Sequence, residues 1–168
     1  MTEVETTRDQ LHGRVRAALD AAALEYSVFV CDPEFADTAV FCEKYDFLPE
    51  QSANAIIAAS RTEPVKYACC IVLASTRLDV NKKVSKLLGV KKVSFASAEQ
   101  TLELTKMQIG GVTPFGLPDI PIYIDAAVMA SDRVILGGGN RATKVVTDPK
   151  QLLKLANVEV VEDLAILK

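Results

Sequence analysis

The sequence predicts an α/β fold of the mixed α+β type, in which helices flank a mixed β-sheet, and three observations lead to it. Amphipathic helical patterns and short β-branched runs intermix along all 168 residues. The last strand-like runs lie too close together for repeated βαβ units, which argues against a Rossmann-type sheet. Apolar residues make up 49% of a chain without repeats or linker-like stretches. We therefore expect one domain over residues 1–168 that includes residues 1–30.

The helices are predicted from apolar spacing and from capping residues. Between Leu11 and Ala22, apolar residues fall on one face at helical spacing. The later helices begin at Asp or Ser, the residue types that cap helix N-termini, and one of them closes at Gly89. In order, the predicted helices span residues 9–23, 37–45, 79–88, 97–105 and 148–155.

The strands are predicted from short apolar runs rich in β-branched residues between turn signals. Residues 67–75 form a continuous apolar run, which predicts a strand that is buried on both faces. In order, the predicted strands span residues 26–31, 55–60, 67–75, 90–95, 120–124, 133–136 and 142–147, with a final short strand or tail at 158–165.

Hydropathy and the N-terminal residues argue against a membrane or secreted protein. The longest apolar run near the middle, Tyr67 to Thr76, is far shorter than the roughly 20 residues that span a bilayer. The N-terminal residues are acidic and polar, unlike the basic and then apolar start of a secretory signal. We therefore expect a cytoplasmic protein with no membrane partner.

The cysteines and the single histidine argue against a metal site. The cysteines at positions 31, 42, 69 and 70 share no metal-ligand spacing, so we expect buried thiols. Cys69 and Cys70 should point to opposite faces of a strand. A catalytic triad or a histidine-rich zinc site would have to use His12 alone, in a helix predicted at the surface. No metal and no cofactor are expected.

Charge is distributed unevenly along an acidic chain. The net charge is −3 and the isoelectric point is about 5.3, which excludes a general polyanion binder. The segment Arg77–Lys92 nevertheless carries six basic residues and one acidic residue. Lys82, Lys83 and Lys86 lie close together on its predicted helix and either contact phosphates or form a solvated face.

Two glycine-rich stretches stand out. In residues 109–121, Gly110 and Gly111 permit a backbone that presents N–H groups to a ligand beside Phe115, which we expect to be exposed. A plain connection into the next strand is the alternative. Residues 137–142 match a G-x-G-x-x-A pattern, but a β-like run follows instead of a helix, which excludes dinucleotide binding. A hairpin turn or a glycine-lined turn beside a pocket remains.

The order of these motifs resembles the YbaK/ProX-type aminoacyl-tRNA editing domain family from about residue 30 to the C-terminus. The segments that carry the resemblance are FLPEQSANAII, LDVNKKVSKLLGVKK, LTKMQIGGVTPFG, IPIYIDAAV and VILGGGNRATKVV, and the G-x-x-x-P loop from Gly110 to Pro114 is the most specific. The resemblance implies a partly barrel-like mixed sheet flanked by helices. It also implies hydrolysis, without a metal, of the ester that joins a wrong amino acid to its tRNA.

The resemblance implies roles for individual residues. Gly110 and Gly111 would hold the aminoacyl carbonyl through backbone N–H groups, and Asn54 would position the terminal ribose. Lys82, Lys83 and Lys86 would contact the tRNA. The implied substrate-binding positions are Val112, Thr113, Pro114, Phe115, Gly116, Asp125 and Gly138, and Lys66, which is not at a motif position, is added as a further substrate-binding candidate.

The sequence departs from the family pattern at two places. Asn54 occupies the position of the main functional lysine of the family, and an amide cannot carry the charge of an ammonium group. Lys66 is a candidate for supplying the missing charge. Lys106 follows Thr105 where the family usually has glycine, which adds a cation before the loop.

The leading interpretation is a free-standing, trans-acting deacylase for a mischarged tRNA, with a synthetase such as prolyl-tRNA synthetase as a further partner. The alternative is a non-catalytic binder of aminoacylated tRNA 3′ ends or of a synthetase, because the lysine is replaced by Asn54. An enzyme that acts on another small ester or amide is a third interpretation.

Overall fold

Three β-sheets and the helices between them make up residues 8–168, the part of the chain that the computed structural model describes. The strands are β1 (Ser27–Val30), β2 (Ala53–Ser60), β3 (Tyr67–Leu73), β4 (Thr76–Leu78), β5 (Val93–Phe95), β6 (Ile122–Asp125), β7 (Val134–Gly137), β8 (Thr143–Thr147), β9 (Val158–Val161) and β10 (Ala165–Leu167). The α-helices are α1 (Gly13–Ala21), α2 (Thr38–Tyr45), α3 (Ser85–Leu88), α4 (Ala98–Thr105) and α5 (Ala126–Met129). Shorter 3-10 segments span Pro33–Phe35, Pro49–Gln51 and Pro149–Lys154, and a π-helical turn spans Val80–Val84.

The largest sheet is mixed, as the sequence predicts. Its order is β5-β2-β3-β6-β9, with β2 antiparallel to β3 and β5, and with β3, β6 and β9 parallel. An antiparallel sheet of order β1-β8-β7 meets it through a bridge between Ser52 and Ile135, and β4 pairs with β10. The mixed α+β class is confirmed, and the sheets do not close into a barrel.

Strand β3 separates two hydrophobic clusters. Cys69 and Ile71 belong to one cluster, whereas Cys70 and Val72 belong to the other, because successive side chains of a strand point to opposite faces. All four cysteines are free thiols and buried. Burial raises the pKa of the Cys70 thiol to about 12, so it remains an apolar, protonated side chain. The predicted two-sided burial of this strand is confirmed.

Helix α1 covers the glycine-rich loop, and this packing makes the expected exposure of Phe115 wrong. The Phe115 side chain has no exposed surface and shares a cluster with Val15 and Leu19 of α1. Gly116 has a φ of +85°, and a Cβ there would lie 2.8 Å from the Arg14 carbonyl oxygen. Glycine therefore lets the loop pass directly beneath the helix.

Several predicted boundaries change where tertiary contacts decide them. The predicted helix at 79–88 divides into the π-helical turn and α3, and the one at 148–155 is a 3-10 segment. Strands β4 and β10 and helix α5 were not predicted, because each is only three or four residues long. The predicted helix at 9–23 is shorter, since α1 has His12 as its N-cap. Within residues 8–168, no helix has the length and hydrophobicity needed to cross a bilayer.

Candidate functional site

A cleft of about 430 Å³ opens where the two larger sheets meet. Strand β2 forms one wall, β7 and Lys144 of β8 form another, and the start of α2 and the glycine-rich loop border the rim. The residues that line it are Asp37, Thr38, Phe41, Ser52, Ala53, Asn54, Ala55, Ile56, Ile57, Phe95, Ala96, Thr101, Ile109, Gly110, Val112, Ile135, Leu136, Gly137 and Lys144. Three of the residues predicted for the site are among them: Asn54, Gly110 and Val112.

Asn54 lies on the β2 wall and is held by the first residue of α2. The Thr38 hydroxyl donates to the Asn54 side-chain oxygen at 2.5 Å. Within residues 8–168, the amide nitrogen of that side chain has no hydrogen-bond partner. Asn54 therefore presents a fixed N–H donor to the cleft, and it does so without charge.

Lys144 is a buried cation on the opposite wall, and the sequence analysis missed it. Its side chain is only 6% exposed, and its Nζ donates to the carbonyl oxygens of Ala36 at 2.6 Å and Gly110 at 3.1 Å. The Nζ also lies 5.1 Å from the centre of the Phe41 ring. Burial lowers the pKa of this lysine, and the nearby cysteine thiol of position 31 and the Asp37 carboxylate oppose that shift.

Arg141, in the β7–β8 hairpin, clamps the rim of the cleft. Its guanidinium donates to Asp37 Oδ1 at 3.1 Å, to the Ile109 carbonyl at 2.8 Å and to the Pro33 carbonyl at 2.9 Å. Its backbone N–H donates to the Gln108 side chain at 3.0 Å. One arginine thus fixes the segment before α2 and the start of the glycine-rich loop in the same position.

The hydrogen bonds of the loop decide which of its N–H groups are available. The Gly111 N–H donates to the Gln108 carbonyl at 2.9 Å, so it is already used within the loop. The Ile109 carbonyl faces Arg141, and the Gly111 carbonyl accepts from Gly139 N at 2.6 Å. In a planar trans peptide, the N–H points away from the carbonyl. The N–H groups of Gly110 and Val112 therefore point away from the hairpin, and neither has a partner within residues 8–168.

Glycine is required where the loop and the β7–β8 hairpin touch. Gly110 has a φ of +91°, and a Cβ there would lie 3.0 Å from Asp37 Oδ1. At Gly111, a Cβ would lie 2.7 Å from the backbone nitrogen of Asn140. The G-G-G-N-R-A stretch is a hairpin turn that supports the loop, and its Gly137 also lines the cleft, so the stretch combines the two interpretations left open by the sequence. Its Gly138 does not line the cleft.

Other predicted substrate-binding residues lie away from the cleft. Thr113 and Phe115 are completely buried, and the Thr113 hydroxyl has no hydrogen-bond partner in the described part of the chain. Pro114 and Gly116 line a separate depression beside Ala18 of α1. These residues lie away from the cleft because α1 packs over this part of the loop. Only the first half of the loop therefore reaches the cleft.

Asp125 and Lys66 also lie elsewhere. Asp125 ends β6 and borders a depression next to Asp163. Burial raises the pKa of its carboxyl, and backbone N–H groups of Leu164 and Ala165 partly offset that shift. Lys66 is exposed, and its Nζ is 3.5 Å from the Leu88 carbonyl. It adjoins Ser60, six residues or about 20 Å along β2 from Asn54, so the structure does not bring it to the cleft.

A second groove adjoins the cleft through Phe95. Arg61, Asn81, Lys91 and Lys92 line it together with Phe95, which borders both cavities and is 56% exposed. The predicted tRNA-binding lysines lie on the π-helical turn and α3 outside the cleft. Lys82 and Lys86 are exposed there, and Lys83 is half-buried. The groove thus connects a cationic surface with the end of the cleft near β5.

His12 and Lys106 have structural roles at the entry to the loop. His12 Nδ1 accepts from the Arg14 N–H at 3.2 Å and caps α1, so its Nε2 donates to the Lys106 carbonyl at 2.9 Å. Lys106 adopts a φ of +61°, the conformation that a glycine at this position would take most easily. Within residues 8–168, no group of three or more His, Cys, Asp or Glu side chains is placed to hold a metal ion.

The sequence around Lys144 carries only a weak signal for a position in the cleft. The run T-K-V-V-T predicts a strand, and the lysine side chain must point to one of the two faces of the sheet. Which face borders a cleft depends on the pairing of Lys144 with Gly137 across the hairpin and with Phe29, which is distant in sequence. Only the register of the folded sheet reveals the position.

Comparisons with known proteins agree with this fold. A sequence model of the aminoacyl-tRNA editing domain matches residues 32–155. The uncharacterized protein YwhH of Bacillus subtilis (strain 168) is 35% identical over 83 residues, which are 49% of this chain and 52% of that protein. The chain therefore spans about half the length of the curated relative that it matches.

Solved structures share the architecture at lower identity. The hypothetical protein APE2540 superposes with a TM-score of 0.81 at 21% identity, over 91% of this chain and 99% of that one. A proposed trans-editing enzyme for prolyl tRNA synthetase superposes with a TM-score of 0.76 at 24% identity, over 89% of this chain and 93% of that one. At these identities, the likeness establishes the fold.

Proposed function

Because this chain belongs to the aminoacyl-tRNA editing domain family, we propose that it is a trans-acting deacylase that hydrolyses the ester between a wrong amino acid and its tRNA. The observation that carries the proposal is the pair of available N–H groups at Gly110 and Val112 beside the cleft that contains Asn54. The family supports a role in tRNA editing, and the reaction and the substrate are our proposal.

The two N–H groups suit the carbonyl oxygen of the ester. Water adds to the carbonyl carbon, and the carbonyl oxygen takes the negative charge. The intermediate then breaks the bond to the ribose oxygen, which takes up the proton that the water has lost. Donors that are fixed by the Arg141 clamp need no reorganisation when this charge develops, and one such donor is worth about 10²–10³ in rate.

Asn54 suits a ribose hydroxyl. Its side-chain oxygen is held by Thr38, which leaves the amide nitrogen as a donor toward the cleft. The neighbouring 2′-hydroxyl of the terminal adenosine is the group that we propose it orients. A neutral donor fits this task, because a hydroxyl carries no charge to neutralise.

The remaining walls suit a small amino-acid side chain. Apolar side chains of Ile57, Ile109 and Ile135 face a space of about 430 Å³. Fixed walls of this kind admit a smaller residue and exclude a larger one, which is the principle of a second sieve.

The groove beside Phe95 suits the 3′ end of a tRNA. Arg61, Lys91 and Lys92 are exposed cations for its phosphates, and the exposed Phe95 ring offers a stacking surface for a base at the mouth of the cleft. We propose that Lys82, Lys83 and Lys86 contact the acceptor stem beyond this groove. For a protein with a net charge of −3, such binding is weak and salt-dependent unless a synthetase, for example prolyl-tRNA synthetase, assists.

The test is deacylation of a panel of mischarged tRNAs. We expect one aminoacyl ester to be lost well above its spontaneous rate, and we expect Gly110→Pro to abolish the loss. Proline lacks the N–H and cannot adopt the φ of +91° at this position. Thermal unfolding of the variant checks that it still folds.

A flat panel would contradict the proposal. If the protein still bound the tRNAs or a synthetase, the result would favour the non-catalytic binder. Two substitutions separate these interpretations further. Loss of a substantial rate in Asn54→Ala supports the deacylase, whereas a large gain from near zero in Asn54→Lys supports the binder.

A further inference from the structure

We infer that Lys144 binds an anionic oxygen of the aminoacyl-nucleotide end through the ammonium group that it presents to the cleft. The inference rests on the proposed function, because it assumes that this end enters the cleft. It assigns a charge-binding role to a residue on β8, on the wall opposite Asn54.

The burial of Lys144 is unusual for its residue type. Lysine is almost never fully buried unless it is paired, yet this side chain is only 6% exposed. Its position is nevertheless open to a ligand, because Lys144 lines the cleft together with Gly110 and Asn54. A desolvated ammonium that borders a cavity is a strong site for an anion, since water competes poorly there.

The hydrogen bonds of Lys144 leave one donor available. An ammonium group has three N–H donors, and two of them point to the carbonyl oxygens of Ala36 and Gly110. Both acceptors are neutral, so they orient the group without neutralising it. Within the described residues, Lys144 makes no salt bridge.

The nearest carboxylate is already engaged. Asp37 lines the same cleft, but Arg141 donates to its Oδ1 at 3.1 Å. The cleft and its rim therefore hold two cations, Lys144 and Arg141, but one carboxylate, which Arg141 contacts. The rim keeps an excess of positive charge, which an anionic oxygen of a ligand would balance.

A hydrogen bond connects the charged group of Lys144 to the glycine-rich loop. This bond, to the Gly110 carbonyl, joins the ammonium group to the peptide segment whose N–H groups are proposed to hold the ester carbonyl. Two oxygens of the substrate end can carry the charge. One is the carbonyl oxygen as it becomes tetrahedral, and the other is an oxygen of the 5′-phosphate of the terminal nucleotide.

Three stable analogues distinguish these sources. The first is a 3′-aminoacylamido adenosine, which is neutral at the reacting carbonyl and carries no phosphate. The second adds a 5′-phosphate, and the third replaces the reacting carbonyl by an anionic tetrahedral phosphonate. Affinities are measured for the wild-type protein and for Lys144→Met, Lys144→Arg and Lys154→Met.

We expect Lys144→Met to lose about 10- to 100-fold in affinity for one anionic analogue, since a hydrogen bond to a charged group is worth about 1.5–3 kcal/mol. The affinity of Lys144→Met for the neutral analogue should change less than about threefold. Lys144→Arg should retain most of the wild-type preference for the anionic analogue over the neutral one. If Lys144→Met loses affinity for the phosphonate, Lys144 binds the oxygen of the reacting carbonyl. If it loses affinity for the 5′-phosphate analogue, Lys144 binds the phosphate of the terminal nucleotide. Lys154→Met is the matched control, because Lys154 also donates to a carbonyl, that of Ala23 at 3.1 Å, but outside the cleft.

The inference would be overturned if Lys144→Met lost affinity equally for all three analogues, or lost none for either anionic analogue. Lys144 would then only support the structure of the loop. Thermal unfolding shows whether Lys144→Met is folded, and Lys144→Gln replaces it if it is not. Failure of the wild-type protein to bind any analogue and to deacylate any tRNA would instead refute the proposed function, and the inference with it.

Discussion

Replacement of Gly111 by alanine tests the contact between the glycine-rich loop and the β7–β8 hairpin. A Cβ at Gly111 would lie 2.6 Å from the backbone carbon of Asn140 and 2.7 Å from its nitrogen. Carbon atoms pack at about 3.5–4.0 Å, so the two backbones must separate by about 1 Å. Overpacking of this kind costs about 1–3 kcal/mol. Loss of the bond from Gly139 N to the Gly111 carbonyl adds about 1 kcal/mol.

We therefore expect Gly111→Ala to lower the free energy of unfolding by about 2–4 kcal/mol and to displace the proposed carbonyl-binding N–H groups. Two other glycines serve as controls. Gly89→Ala should cost only about 1 kcal/mol, because Gly89 has a φ of +68° but no atom within 4 Å of a Cβ. Gly13→Ala meets neither problem and should be neutral or stabilising.

Urea denaturation measures the three free energies, and deacylation of a mischarged tRNA measures the displacement. The reasoning would be refuted if Gly111→Ala matched Gly13→Ala in stability. It would be equally refuted if Gly111→Ala unfolded more easily but kept the full rate and the full affinity for the analogues.

Four further predictions follow from other parts of the structure. Lys106→Gly should raise the unfolding free energy by about 1 kcal/mol in urea denaturation, because glycine adopts the φ of +61° without strain. Thr113→Val should raise it by a similar amount in the same assay, since the buried hydroxyl has no partner among residues 8–168. Burial lowers the pKa of Lys144, so the unfolded chain binds more protons between that lowered pKa and the ordinary 10.5. The wild-type protein should therefore gain stability relative to Lys144→Met as the pH rises through this window, and parallel thermal unfolding curves would contradict this. Finally, Lys91→Ala and Lys92→Ala should each weaken tRNA binding and reduce its salt dependence by about one phosphate contact in titrations at several salt concentrations.

Local signals in the sequence were sufficient for the elements whose residues decide their own conformation. Ser97 caps α4, and its side chain and that of Gln100 form a reciprocal capping box, so the predicted start was correct. The continuous apolar run of β3 needed no partner to be recognised. In contrast, β4 and β10 exist only because Arg77 and Ile166 pair across the fold, and three residues carry no periodicity of their own.

The residues of the candidate site also divide into those that local sequence predicts and those that depend on tertiary packing. The family motif located Asn54 and Gly110, because each lies in a short, contiguous stretch of sequence that resembles the family pattern. The cover of α1 over Phe115 could not be predicted, since it depends on packing between segments about 100 residues apart. Lys144 was not predicted because the pairing of β8 with β1 and β7 decides which side chains of β8 border the cleft.

Which N–H groups are available also depended on the folded loop. The sequence predicted Gly110 and Gly111 as donors, because glycine allows close approach of a ligand. The structure uses the Gly111 N–H within the loop and leaves those of Gly110 and Val112. Peptide orientation follows from contacts with Arg141 and Gly139, which no local pattern encodes.

The most direct test of the account is a crystal structure of the protein with the neutral 3′-aminoacylamido adenosine bound. We predict that the carbonyl oxygen of the analogue lies within ordinary hydrogen-bond distance, about 2.7–3.2 Å, of the backbone nitrogens of Gly110 and Val112, with the ribose beside Asn54. A carbonyl oxygen held elsewhere in the cleft, or an analogue bound outside it, would contradict the assignment of these N–H groups and of the site.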